Sequence, residues 1–322
     1  MGKKLAAAEE EFGFSHVPVL YNEVMEGLDI KEGGTYADGT LGGAGHSSGI
    51  CERLGKDGHL IGIDRDADAL RAASEKLKSF NCRCSLVQSN YSDIKLVLED
   101  LGVKALDGAL LDLGVSSYQL DNPARGFSYM HNAPLDMRMN ADDVVTAEDI
   151  VNGYSKEELT RIISEYGEER WAARIAQFIE QRRKESRIRT TFELVDVIKA
   201  AVPAAARREG PHPAKRTFQA LRIEVNDELG SLSRALTDFI DVLAPGGRLA
   251  VISFHSLEDR IVKETFNKRL APCICPPEFP VCVCGRKPDV KKVTKKPVTA
   301  SDKELSENPR ARSAKLRIIE KL

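Results

Sequence analysis

The 322-residue chain contains no run of about 18 apolar residues, so a membrane span is not expected. Met1 to Phe14 mixes Lys3, Lys4, Glu9, Glu10 and Glu11 with alanines and lacks the continuous apolar stretch of a signal peptide. An excess of charge of one sign is also missing. The 47 Lys and Arg stand against 49 Asp and Glu, for a net charge of −2. That balance excludes a general polycation and leaves room for local basic patches. Internal repeats are absent. The seven cysteines are an odd number in a long, charge-rich chain, which points to reduced thiols in a cytoplasmic protein rather than a disulfide framework.

What is present begins with an apolar share of 42%, enough for a real core in one large domain or two modest ones. Strand-like and helix-like runs alternate through the first third. Gly34 to Asp38 reads as a strand, His46 to Leu54 as a helix and His59 to Asp64 as a strand. A helix follows with Leu70, Ala73, Leu77 and Phe80 at spacings of three and four. Cys84 to Gln88 is strand-like, Ser92 to Leu101 helix-like, and Gly108 to Leu111 a buried-type strand ending at Asp112. This order implies an α/β fold with a doubly wound, mostly parallel sheet and a ligand at the strands' C-terminal ends.

The alternation then stops. The next clear strand is Arg248 to Ile252, after the turn Pro245-Gly246-Gly247. Ahead of it one apolar stripe, Phe218, Leu221, Val225, Leu229, Leu232, Leu236, Phe239 and Leu243, predicts a single helix of roughly 27 residues. About 100 residues before that helix exceed what a crossover needs. They are expected to form an inserted all-helical domain, 116–215, between two parts of the sheet domain, 1–115 and 216–322. Within the insert, Ser155 with Glu158 and Thr190 with Glu193 fit capping boxes. Apolar stripes follow at Leu159, Ile162, Ile163 and Tyr166, then Trp171, Ile175, Phe178 and Ile179, then Val195, Ile198 and Val202, where Pro203 ends the last. The insert also carries Arg170, Arg174, Arg182, Arg183, Lys184, Arg187 and Arg189, either a solvated face or a nucleic-acid surface. Arg286 to Lys296 holds six basic residues and one acidic one, and Ala314 to Leu322 reads as a final edge-type strand.

The chemistry concentrates in Asp38-Gly39-Thr40-Leu41-Gly42-Gly43-Ala44-Gly45-His46. Glycines let the backbone turn sharply and leave bare amides at a helix N-terminus for a nucleotide-like ligand. Asp64 closes the run Leu60 to Ile63 and is placed to accept the hydroxyls of a ribose. Two cofactor classes fit: dinucleotides and S-adenosylmethionine. The strict G-x-G-x-x-G spacing is not met, and Asp38 before the loop suits an ammonium or a loop-orienting role better than a pyrophosphate. S-adenosylmethionine is therefore favoured. Asp112, ending the fourth strand, is placed to accept a hydrogen bond from an amino group of cofactor or substrate, or else to cap the following turn. His255 is a further rim candidate, with a structural role as its plainer reading. Cys273-Ile274-Cys275 and Cys282-Val283-Cys284 supply four thiolates, enough for tetrahedral zinc. Paired zinc cysteines usually have two residues between them, so no metal ligand is assigned and reduced thiols in a tight loop are the plainer reading.

Several longer segments carry a resemblance. They are His16-Val17-Pro18-Val19-Leu20, Asp38-Gly39-Thr40, Gly43 to Ser47, Ile63-Asp64-Arg65-Asp66 and Leu110 through Gln119 to Asp121. Arg125 to Ser128, Pro134 to Met139, Tyr166 to Arg170, Arg216 to Ala220, Ser253 to Arg260 and Asn308 to Ser313 continue it over nearly the whole chain. Together they resemble the family of ribosomal RNA small subunit methyltransferase H. The resemblance implies a class I methyltransferase sheet with a helical insert. It implies S-adenosylmethionine-dependent methylation of the exocyclic amino nitrogen of cytosine 1402 in 16S rRNA, within the small ribosomal subunit. By motif it implies cofactor contacts from Ala44, Gly45, His46, Asp64, Tyr91, Asp112 and Gln119, with Asp112 also the catalytic candidate. A homodimer is compatible with the sequence and not demanded by it. One departure stands out: Asp112-Leu113-Gly114-Val115 replaces the Asp/Asn-Pro-Pro-aromatic run of many amino-methyltransferases. The same residues leave two other functions open, a nicotinamide-dependent oxidoreductase and a non-catalytic ribosome-assembly factor.

Overall fold

The computed structural model describes residues 18–208, 210–276 and 278–322. The Met1 to Phe14 stretch and His16-Val17 of the first signature lie outside the described residues. The chain divides into two compact units. The first takes in residues up to Asp64, then Ala69–Leu113 and Ala235–Leu322; the second is Arg65–Asp68 with Gly114–Arg234.

The first unit is built on a seven-stranded sheet of β1 (Thr35–Asp38), β2 (His59–Asp64), β3 (Arg83–Gln88), β4 (Leu106–Asp112), β5 (Leu243–Ser253), β6 (Val290–Lys292) and β7 (Lys315–Lys321). The order is β3-β2-β1-β4-β5-β7-β6. The pairings from β3 through β5 are parallel, and β7 runs antiparallel to both β5 and β6. Strands β2 and β4 are buried almost end to end, as expected for parallel strands covered on both faces. The chain passes from β1 to β2 on one side, and β4 comes in on the other. The crevice for a ligand therefore opens at the C-terminal ends of β1 and β4. Three of these parallel strands end in an aspartate: Asp38, Asp64 and Asp112. Side chains such as Leu28, Ile50, Leu54, Leu60, Leu110 and Ile318 pack this unit's core.

The second unit is helical. Its helices include Ala147–Gly153, Lys156–Glu165, Ala172–Glu185, Thr191–Ala201 and Lys215–Asn226. Both expected capping boxes form, Ser155 with Glu158 and Thr190 with Glu193, and Ser116 with Gln119 and Thr146 with Asp149 form two more. Each satisfies backbone N–H groups that a helix start leaves unpaired. Leu159, Ile162, Ile163, Ile175, Ile179 and Ile198 are fully shielded in one core. Several of the unit's arginines have partners within it. Arg183 donates to the carbonyls of Val151 and Tyr154, Arg187 pairs with Glu148 and Asp149, and Arg170 and Arg174 lie over Trp171 and Phe178.

Three expectations are corrected. The single long helix is two, Lys215–Asn226 and Glu228–Val242, parted by Asp227 at φ 47. Aspartate is among the few residues that enter the left-handed region readily, and a stripe of apolar residues cannot register one reversed φ. The boundary between the units falls in the second of these helices, after Arg234, so the helical unit reaches beyond the expected 116–215. Finally, β7 is not an edge strand. The basic stretch after the cysteines contributes the short β6, which covers it, with Val290 buried.

Ile163→Ala is expected to cost the helical unit about 2–5 kcal/mol, because its side chain is wholly buried. The one tryptophan of the chain, Trp171, lies in this unit and reports its unfolding by fluorescence in denaturant. An unchanged midpoint would show that the helix Lys156–Glu165 is not packed as described.

Candidate active site

The glycine loop joins β1 to the helix Gly45–Leu54 and is pinned from below by Asp38. That carboxylate is buried. Its Oδ1 accepts the Thr40 amide at 3.1 Å and its Oδ2 accepts the Ser47 hydroxyl at 2.6 Å. Of the two roles open to Asp38, the loop-orienting one is therefore the one its contacts carry. Burial raises its carboxyl above the usual range, and these hydrogen bonds pull partly back. Across the loop, Asp64 Oδ2 accepts the Gly42 amide at 2.8 Å, tying the end of β2 to the bend. Ala44 sits at φ 55, and no side chain caps the helix that follows it. A non-glycine residue in that region stores about 1–3 kcal/mol of strain, which collects at ligand sites.

Two glycines differ in what they demand. At Gly39 an added Cβ would strike Leu111 at 2.5 Å and lie 3.1 Å from Tyr91 Cβ, so the fold itself requires glycine. At Gly43 it would meet nothing within 4 Å, and the backbone there is not left-handed. The fold leaves that space open, as a ligand approaching the backbone would need.

Asp112 ends β4 against this loop. Its amide donates to Thr40 Oγ1 at 2.6 Å, so Thr40 couples loop and strand end. Its Oδ2 lies 3.6 Å from His46 Nδ1. His46 is buried, and its Nε2 lies 2.9 Å from the Val19 carbonyl, which only a protonated nitrogen can satisfy. The other oxygen, Asp112 Oδ1, is shut from solvent and has no hydrogen-bond partner. Burial, then the charges of Asp38 and Glu258, push this carboxyl well above its usual range. The turn-capping alternative for Asp112 has no hydrogen bond to support it.

His255 follows β5, the parallel neighbour of β4, in which Ile252 pairs with Asp112. Its Nδ1 accepts the Glu258 amide at 3.4 Å and caps the helix Ser256–Leu270. The proton is therefore on Nε2, which is buried and has no hydrogen-bond partner; Glu258 Oε1, 3.2 Å away, lies off its axis. The structural reading of His255 holds, and a donor is left over.

The structure thus brings Ala44, Gly45, His46, Asp64, Tyr91 and Asp112 into one unit around the bend. Tyr91 begins a short turn after β3 and is half-buried. Gln119 belongs to the second unit. There its Nε2 donates to Asp66 and its Oε1 accepts the Ser116 amide, so its polar atoms serve that unit's own structure. Sequence reasoning missed Thr40 as the link to Asp112. The turn Asp38-Gly39-Thr40, with its local hydrogen bonds, was the available signal.

A family model for the MraW methylase family matches residues 13–322. The chain belongs to that family. It is 57% identical over 309 residues to a ribosomal RNA small subunit methyltransferase H of Symbiobacterium thermophilum, covering 96% of this chain and 97% of that protein. It is 54% identical over 311 residues to the protein of that name in Ruminiclostridium cellulolyticum, covering 96% and 99%. The sheet of this methylase is a class I methyltransferase sheet, and S-adenosylmethionine is the methyl donor that goes with the family. The residues present fit that donor. The bend has open space above Gly43, the helix after it is uncapped, and a carboxylate stands at the end of β2.

Gly43→Ala is expected to leave thermal stability unchanged while weakening S-adenosylmethionine binding at least tenfold, an effect of about 1.4 kcal/mol or more. Calorimetric titration reads the second quantity. Undiminished binding would place the donor elsewhere than over Gly43.

Proposed function

We propose that this methylase transfers a methyl group to small-subunit ribosomal RNA, and that the acceptor is the exocyclic N4 of cytosine 1402 in 16S rRNA. The observation that carries the reading is Asp112 Oδ1, a buried carboxylate oxygen left without a partner at the C-terminal end of β4. Such an atom is costly unless something arriving later satisfies it. The names of the relatives at 54–57% identity supply the class of RNA.

S-adenosylmethionine supplies an electrophilic methyl on a sulfonium. The protein's share is to hold it and to place the amine. The backbone of Gly43, Ala44 and Gly45 would hold one end of it, Asp64 would accept the ribose hydroxyls, and Tyr91 would stand at the adenine end. Asp112 Oδ1 accepts a hydrogen bond from the cytosine amino group and directs its nitrogen toward the methyl. A cytosine amine is a weak nucleophile because its lone pair is spread into the ring, so orientation carries much of the rate. Once methylated, the nitrogen must lose a proton. A carboxylate whose affinity for protons has been raised by burial is suited to take it. His255 Nε2–H supplies a donor for ring N3. An acceptor paired with a donor matches the edge of cytosine and opposes that of uracil, which offers a carbonyl and an N–H instead. The base must first leave any helical stack. Basic side chains of the helical unit and of Arg286 to Lys296 bind the RNA phosphates.

The test is single-turnover transfer of labelled methyl to small ribosomal subunits. The parent protein is expected to label them. Asp112→Asn is expected to lower the rate about 10²–10⁴-fold while binding S-adenosylmethionine within a few-fold of the parent. The parent rate should rise with pH past the ordinary carboxylate range, because a raised carboxyl must ionise before it accepts the amine. A parent that transfers no methyl would refute the function. A variant at full rate would remove Asp112 from the chemistry, and a variant that loses the donor would assign Asp112 to cofactor binding instead.

A further inference from the structure

The stretch from Pro272 to Pro288 has no apolar core to hold it. None of its described residues is buried, and it contains no helix or strand. Ile274, Phe279, Val281 and Val283 are exposed. Ordering a backbone costs about 1–2 kcal/mol per residue, and no apolar core is present to offset it.

The four cysteines of the stretch nevertheless converge. The four Sγ atoms all lie within 4.8 Å of one another. Cys273 and Cys282 are 3.5 Å apart, as are Cys282 and Cys284; Cys275–Cys282 and Cys284–Cys273 are 3.9 Å. A disulfide would need about 2.05 Å. A zinc–thiolate bond of about 2.3 Å in a regular tetrahedron places its sulfurs about 3.8 Å apart.

We propose that Cys273, Cys275, Cys282 and Cys284 bind one Zn²⁺ as a structural tetrathiolate site. The one-residue spacing that argued against zinc in the sequence does not keep the thiols apart here: both Cys-x-Cys pairs bring their sulfurs into one cluster, while the middle residue of each pair stays outside it. Those middle residues, Ile274 and Val283, are 65% and 72% exposed. A turn closed by the Phe279 amide on the Pro276 carbonyl, at 3.1 Å, folds the two segments together.

The surroundings suit thiolates. The Val283 amide donates to Cys275 Sγ at 3.3 Å. Such N–H groups stabilise metal-bound sulfur. Zinc with four thiolates carries a net charge of −2, and Arg286 and Lys287 follow directly in the chain. Binding releases the remaining thiol protons to solvent and moves no electrons. A second thiol group, Cys51, Cys82 and Cys84, has only three sulfurs, two of them on buried residues, and packs within the core of the sheet unit. Apolar packing accounts for it.

The site also gives the basic stretch a fixed starting point. Arg286 and Lys287 lie between the last cysteine and β6, so a staple here limits the paths that this segment can take.

The test is elemental analysis of the full-length protein purified under reducing conditions without added chelator. About one zinc per chain is expected. Cys282→Ser combined with Cys284→Ser should lose it, while Cys51→Ser should keep it. Parent protein stripped of metal and given Co²⁺ should show the visible bands of a tetrahedral tetrathiolate. This second readout stands if the double variant fails to fold. Trypsin should cut after Arg286 faster in the stripped protein than in the reloaded one. A reduced, folded parent that holds no zinc, takes up no Co²⁺ and exposes all four thiols to a thiol reagent would overturn the proposal. So would two disulfides among these cysteines in the reduced preparation.

Discussion

The buried carboxylate of Asp38 is the constraint on which the site depends. It stands at the end of a central strand, where the sheet would otherwise release the chain into a floppy glycine-rich bend. By accepting the Thr40 amide and the Ser47 hydroxyl it fastens both ends of that bend. Thr40, held there, accepts the amide of Asp112. Loop, helix start and the end of β4 therefore share one hydrogen-bonded chain, and a shift at Asp38 would reach Asp112 through two contacts. The glycines provide freedom, and Asp38 removes it again in one chosen shape.

The arrangement is costly. Asp38, Asp112 and Glu258 bring carboxylates into little-hydrated positions, and the first two are both pushed upward. One oxygen of Asp112 and one nitrogen of His255 have no partner. Packing alone would favour removing such groups. Their presence at the C-terminal ends of adjacent parallel strands is the mark of a site that trades stability for chemistry. The helical unit shows the opposite economy. Its helix starts are boxed, and several of its arginines are tied to carbonyls, carboxylates or aromatic faces.

Much of this was legible in the sequence, for physical reasons. Buried parallel strands read as short apolar runs, and β2 and β4 could be located because an aspartate closes each. Capping boxes at Ser155 and Thr190 are local and depend on nothing distant. What escaped were features set by one dihedral or by remote pairing. The reversed φ at Asp227 leaves the apolar stripe intact, so periodicity ran straight through it. The interior place of β7 depends on β6, three residues hidden in a basic stretch. Gln119 carries a family motif, yet its amide also donates to Asp66, 53 residues away, a contact that spacing cannot reveal.

The most direct measurement is to digest the RNA of small subunits methylated by this protein and identify the modified nucleoside by mass spectrometry. The buried, unpartnered oxygen of Asp112 predicts N4-methylcytidine, at a single cytidine. A methyl on uridine, on ring carbon or on ribose would contradict the account, because none of those positions offers an amine to Asp112.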